Sequence, residues 1–268
     1  MKNRPLTWLI ATPLLGALGC LDGSTTGRPV ALHTELAAAP EITQAFVIET
    51  GWTVKLSKAA VSVRALYYFE GEPAFVLHGL ERSWLDEIAG WFVLPVAHAH
   101  PGHYASGTAL GQVLEAWSAD LLAGTTELPN GTGITGLYRS ARFVFGAPSA
   151  GPALTMLQGH AAVAEGVASK GEQTVHFALA VDLAEIEQRA TQGQVEGCDF
   201  AEAQVEGDGT VGVTIEPHVW FNLVDFGDVA PGSPEAPTQI TGDETAHIAF
   251  TLGLVQLSAY RFTFQAQP

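Results

Sequence analysis

A chain of 268 residues with a formal net charge of −16 presents a surface that repels polyanions, which argues against nucleic acid and anionic lipid head groups as partners. With 47% hydrophobic and only 15% charged residues, it has too much apolar surface to remain a disordered tail. Its length suits one large β domain or two small ones.

The chain begins MKNRPLTWLIATPLLGALGCLDGS. Lys2 and Arg4 form a short positive region, Leu6 to Leu18 is an apolar run, and small residues surround Cys20. This is the pattern of a secretory signal, too short and wrongly flanked for a spanning helix. The segment resembles a bacterial lipoprotein signal peptide, in which a lipobox ends in the cysteine that becomes the lipidated first residue. The box here is Ala17-Leu18-Gly19-Cys20; the family prefers Leu at the place of Ala17 and a small residue at that of Leu18. The resemblance covers only the first 20 residues or so. It implies that residues 1–19 are removed and that lipid on Cys20 tethers the protein to a membrane leaflet. Leu21, where an Asp often signals inner-membrane retention, leans the same resemblance towards the outer membrane, with the domain in the periplasm or at the cell surface. An ordinary secretory signal with an incidental Cys20 is the alternative. No other segment approaches the ~18 consecutive apolar residues of a spanning helix.

Residues 20–40 contain Gly, Ser, Thr and Pro without sustained periodicity and read as a tether, so that a single β-rich domain is expected over 41–268. Within it, short β-favouring runs alternate with turn signals: TVKLSKAAVSV, ALYYFEG, GITGLYRSARFVFG, TVHFALAVDL, TVGVTIEPHVWFNLVDF and AHIAFTLGLVQLSAYRFTF. In the last, Ile248, Phe250, Leu252 and Leu254 share one parity with Tyr260, Phe262 and Phe264. Period two argues strands. Two segments dissent. Asp182 to Gln192 reads as a short helix capped by Asp182, with Glu185 completing a capping box. In TALGQVLEAWSADLLAG, Leu110, Val113, Leu114, Trp117 and Leu121 lie at helical spacing, which tips that segment towards helix. The expected fold is mainly β: an antiparallel β-sandwich or barrel-like sandwich with one or two short helices.

One constellation stands out. VAHAHPGHYASG places His98, His100 and His103 within six residues of a chain that has nine histidines. In an extended segment His98 and His100 face the same way, and Pro101-Gly102 favours a turn that can swing His103 back towards them. Three converging imidazoles suit copper or zinc, whereas Ca²⁺ or Mg²⁺ would require oxygen-rich sites. His218, with Glu216 on the same strand parity, is the best candidate for a fourth ligand, and His247 comes next. His33 lies in the expected tether, His78 ends a strand, and His160 and His176 have no chemical company.

Other motifs are weaker. The cupin spacing fails, because Tyr104 or Ala105 stands where its Glu is required, and zinc-protease patterns are absent. There is no Gly-x-Ser-x-Gly elbow, phosphate loop or paired dinucleotide motif. Asp225, Asp228, Asp243 and Glu244 follow no calcium-loop rule and read as a solvated acidic surface. Asn130-Gly131-Thr132 reads as a tight turn rather than a glycosylation site. Trp52, Trp84, Trp91, Trp117 and Trp220 are more economically core than a sugar platform. With Cys20 acylated, Cys198 is a lone thiol expected to be buried and inert. The sequence therefore points to an envelope-anchored metal-binding lipoprotein and leans away from an enzyme. A structural or ligand-binding envelope module with incidental histidines is second, and a metal-dependent hydrolase third.

Overall fold

Period-two alternation becomes strand over about half of the described residues. The computed structural model describes residues 27–74 and 106–267. Among these are thirteen strands: β1 (Pro29–Ala38), β2 (Phe46–Val47), β3 (Thr53–Phe69), β4 (Ala109–Val113), β5 (Trp117–Asp120), β6 (Thr126–Ile134), β7 (Gly136–Phe145), β8 (Ala162–Lys170), β9 (Gln173–Val181), β10 (Gln194–Val205), β11 (Gly209–Ile215), β12 (Thr238–Ile240) and β13 (Tyr260–Ala266). Short helices are α1 (Leu154–Leu157), α2 (Leu183–Glu187), α3 (Pro217–Phe221) and α4 (Thr245–Leu254). The fold is mainly β and barrel-like, as the alternation predicts.

Eight strands close on themselves in the order β3-β4-β6-β1-β11-β13-β10-β7, because β7 pairs with both β10 and β3. Closure removes sheet edges and, at eight strands, leaves room for side chains alone. Aromatic side chains fill it. Tyr68 lies 6.2 Å from Tyr138, 5.8 Å from Phe200 and 6.1 Å from Phe262, ring centre to ring centre. The buried Tyr138 hydroxyl is satisfied by the carbonyls of Leu110 and Ile134, at 2.8 and 2.9 Å. A further layer stacks Phe143 on Tyr260 at 4.3 Å, and the Tyr260 hydroxyl donates to Leu254 O of α4. The pairing is not wholly antiparallel. β1 runs parallel to β11, β10 to β13, and β12 to β9.

The long strand β3 serves two structures. Leu66 to Phe69 bridges β4 and β7 in the barrel, while Thr53 to Val61 pairs with β8. β8, β9 and β12 thereby extend the sheet as a wing. Helices α3 and α4 pack on the inner face of the wing, where Phe177 meets Phe221 at 5.6 Å and Phe226 at 4.8 Å.

Four expectations are corrected. Residues 29–38, read as part of a tether, form β1: Val30, Leu32, Thr34 and Leu36 are buried and the residues between them exposed. The pattern is masked in sequence by Thr34, whose hydroxyl is buried 3.4 Å from that of Tyr68. The helix expected near residues 108–124 is instead β4 and β5; Leu114, one of its supposed core residues, is exposed. Asn130 lies inside β6 rather than in a turn. Residues 217–221 and 245–254, read as strands, are α3 and α4. In α4 both parities are buried (Ala246, His247, Ala249, Phe250, Thr251, Gly253 and Leu254). The less buried positions, Thr245, Ile248 and Leu252, fall at helical spacing, but Ile248 and Leu252 are apolar, so no polar stripe marks the helix in sequence. Gly253 also lets α4 approach α3 closely, since a Cβ there would lie 2.3 Å from Trp220 O. The Asp182 capping box forms as the sequence predicts.

Candidate functional site

His98, His100 and His103 lie outside the described residues. What surrounds their segment is defined. Glu70 N–H donates to Thr108 O at 3.1 Å and Gly71 N–H to Ser106 O at 2.9 Å, so the chain leaves and re-enters the barrel at adjacent points. The Ser140 hydroxyl donates to Gly71 O at 2.6 Å, and Ala74 N–H to Gly197 O at 3.2 Å. Phe69 and Ala109 are a paired position of β3 and β4, at the same end of the barrel as Pro29, Gly209 and Ala266.

His218 sits at the other end, beyond the last residue of β11. Its expected strand parity with Glu216 does not arise, because Pro217 opens a helical turn and Glu216 becomes its N-cap. The two still meet: His218 Nδ1 lies 3.5 Å from Glu216 Oε2, with Glu216 nearly buried. Arg261 Nε stands 3.6 Å from the other carboxylate oxygen. That guanidinium competes with any cation for Glu216, and two donors fall short of the four usual around zinc. Among the described residues no group of three or more His, Cys, Asp or Glu side chains is arranged to hold a metal ion.

Of the remaining histidines, His78 lies outside the described residues and most of the others are engaged. His33 faces Asn130 Oδ1 at 2.9 Å from β1. His247 is buried on α4, with Nε2 donating to Ala180 O at 3.0 Å and Nδ1 3.7 Å from Glu185 Oε1. His160 corrects the expectation that it stands alone: its Nδ1 lies 2.7 Å from Asp182 Oδ1, at the cap of α2. The antiparallel β8–β9 hairpin, which pairs Ala162 with Val181, makes residues 160 and 182 neighbours. The turn at Gly171 signals the hairpin but not its register, which is what brings this pair together.

The acidic side chains support loops. Asp225 Oδ1 accepts from Gly227 N–H and Trp52 Nε1, both at 2.9 Å, and these donors, Gly227 foremost, hold its pKa below the ordinary value. Glu244 Oε1 accepts from Thr241 N–H at 2.7 Å. Cys198 is buried; burial pushes its thiol pKa up to about 12, and its Sγ lies 3.3 Å from Val195 O. A protonated, inaccessible thiol neither ligates nor attacks. Trp52 and Trp220 are core residues and Trp117 is half-buried, while Trp84 and Trp91 lie outside the described residues.

Comparison of the chain with protein-family models, curated proteins and solved structures finds no match. No helix among the described residues is long and apolar enough to cross a membrane, which says nothing of crossing by strands.

Proposed function

We propose that the protein is a lipid-anchored protein of the bacterial cell envelope, tethered through Cys20, that binds copper or zinc through His98, His100 and His103. The observation that carries this reading is the grouping of three imidazoles within six residues around Pro101-Gly102. Imidazole nitrogen suits both metals, and the Irving–Williams order favours Cu²⁺ where copper is available. Support also comes from the base of that segment, which is fixed to a rigid barrel by the hydrogen bonds of Glu70 and Gly71. Such a stem lowers the ordering cost of a binding loop. His218 is a weaker fourth ligand than its sequence position implies, because Glu216 and Arg261 already occupy its surroundings.

The test is metal analysis of tag-free protein before and after dialysis against Cu²⁺ or Zn²⁺, with His98→Ala/His100→Ala and His218→Ala alongside. About one equivalent in the wild type and in His218→Ala, falling well below that in the double variant, is expected. Unchanged substoichiometric metal in every sample overturns the metal reading. Labelling with a radioactive fatty acid, lost in Cys20→Ala, tests the anchor separately.

A further inference from the structure

The outer face of the wing carries a groove of about 290 Å³ lined by, among others, Lys55, Glu165, Val167, His176, Pro234 and Pro237. Lys55 of β3, Val167 of β8 and His176 of β9 pair in a single row across three strands. Residues in such a row project from one face of the sheet, which is why they share the groove. The proline wall is pinned rather than loose. His176 N–H donates to Pro231 O at 2.6 Å, the Thr238 hydroxyl donates to Ala230 O at 2.9 Å, and Ser233 and Ala236 close a turn between them. A ligand entering there does not have to order its own site.

Charge selects the class of ligand. The chain has four lysines; Lys2 lies outside the described residues, and the other three are all on β3 and β8. Lys58 is paired with Glu165. Lys170 donates to Thr50 O at 2.8 Å and stands 5.9 Å from the Trp52 ring. Lys55 alone of the three has no ion-pair or side-chain hydrogen-bond partner among the described residues. A cation left unpaired along a largely apolar groove is the local counterpart of an anionic head on an apolar body.

We propose that this groove binds a small organic carboxylate, its head on Lys55 and its ring or aliphatic body between Val167 and the prolines. His176, in the same row, supplies a second polar side chain to the lining. An amine-headed ligand lacks a partner, because the Glu165 carboxylate is engaged by Lys58. The volume sits at the small end of the ~300–1,000 Å³ of small-molecule sites and limits the body to about one ring.

Calorimetric titration of chelator-treated protein with benzoate, benzyl alcohol and benzylamine tests the assignment; chelation makes the result independent of any metal on His98, His100 and His103. Benzoate should bind at least tenfold more tightly than the other two. Lys55→Gln should reduce it to the level of benzyl alcohol, and Val167→Glu, which places a carboxylate in the groove, should abolish it. Both residues lie on the surface of the wing, and unchanged thermal melts verify that the variants are folded. Benzoate bound no better than benzyl alcohol, or bound equally by Lys55→Gln, overturns the proposal.

Discussion

Replacing Gly133 by alanine challenges the barrel interior where it is tightest. A Cβ at that position would lie 2.6 Å from the Tyr138 hydroxyl, 2.8 Å from Leu32 Cδ1 and 3.1 Å from Leu110 O. The hydroxyl and the Leu110 carbonyl are themselves hydrogen-bonded at 2.8 Å, so the added methyl group crowds both partners of that bond. The Tyr138 ring has little room to retreat, being flanked by Tyr68 at 6.2 Å and Phe200 at 5.7 Å. Overfilling a packed core costs about 1–3 kcal/mol. A buried carbonyl deprived of its donor costs a further ~1–3 kcal/mol. The Ile134 carbonyl, 2.9 Å from the same hydroxyl, retains part of that bonding. The expected destabilisation is therefore about 2–4 kcal/mol, a fall in Tm of roughly 4–16 °C for a domain of this size. Urea titration followed by the fluorescence of the buried Trp52 and Trp220 measures it. Tyr138→Phe removes the oxygen nearest the new methyl group, so the double variant should be more stable than the summed single effects by at least ~1 kcal/mol. A Gly133→Ala protein within ~0.5 kcal/mol of wild type, or strict additivity in the cycle, would refute the packing described for the barrel.

Three further outcomes are expected. A carboxyl whose folded-state pKa is depressed, as at Asp225, gives stability that is fully present above its unfolded pKa of ~3.9 and is lost as pH falls through the folded value. Wild type should therefore exceed Asp225→Asn in urea midpoint by a constant margin above about pH 5 and by a shrinking one below about pH 4; a margin independent of pH contradicts this. Cys198, buried and with its thiol pKa pushed up to about 12, should resist iodoacetamide in native Cys20→Ser protein and react promptly in urea. Rapid native labelling counts against its burial. Asp182→Ala should cost about 1 kcal/mol, because it removes the cap of α2 as well as the partner of His160. His160→Ala should cost less, since that pair is half-exposed. Thermal melts rank the two variants, and the reverse order would show that the ion pair outweighs the cap.

The clearest lesson about legibility lies in residues whose local pattern is shared by two structures. Phe250, Leu252 and Leu254 are two apart and read as one face of a strand, yet they belong to α4. A helix buried on nearly every side leaves no polar stripe to mark its period. The opposite error occurs at 108–124, where apolar residues at helical spacing belong to two strands separated by the exposed Leu114. The capping box at Asp182 was readable because it needs only residues three apart in sequence. The His160–Asp182 contact was not, because it depends on the register of a hairpin.

By itself the sequence determined that the regular structure of this chain is mainly strand, that Cys198, Trp52 and Trp220 belong to the interior, and that α2 is capped by Asp182. Those properties depend on side-chain alternation, hydrophobicity and short-range hydrogen bonding, all local. Tertiary structure alone decided that β7 joins β3 and closes the barrel, that β1 lies parallel to β11, and that Lys55, Val167 and His176 share one groove. Each depends on which distant strand completes the backbone hydrogen bonds, and an alternating pattern fits many neighbours equally well.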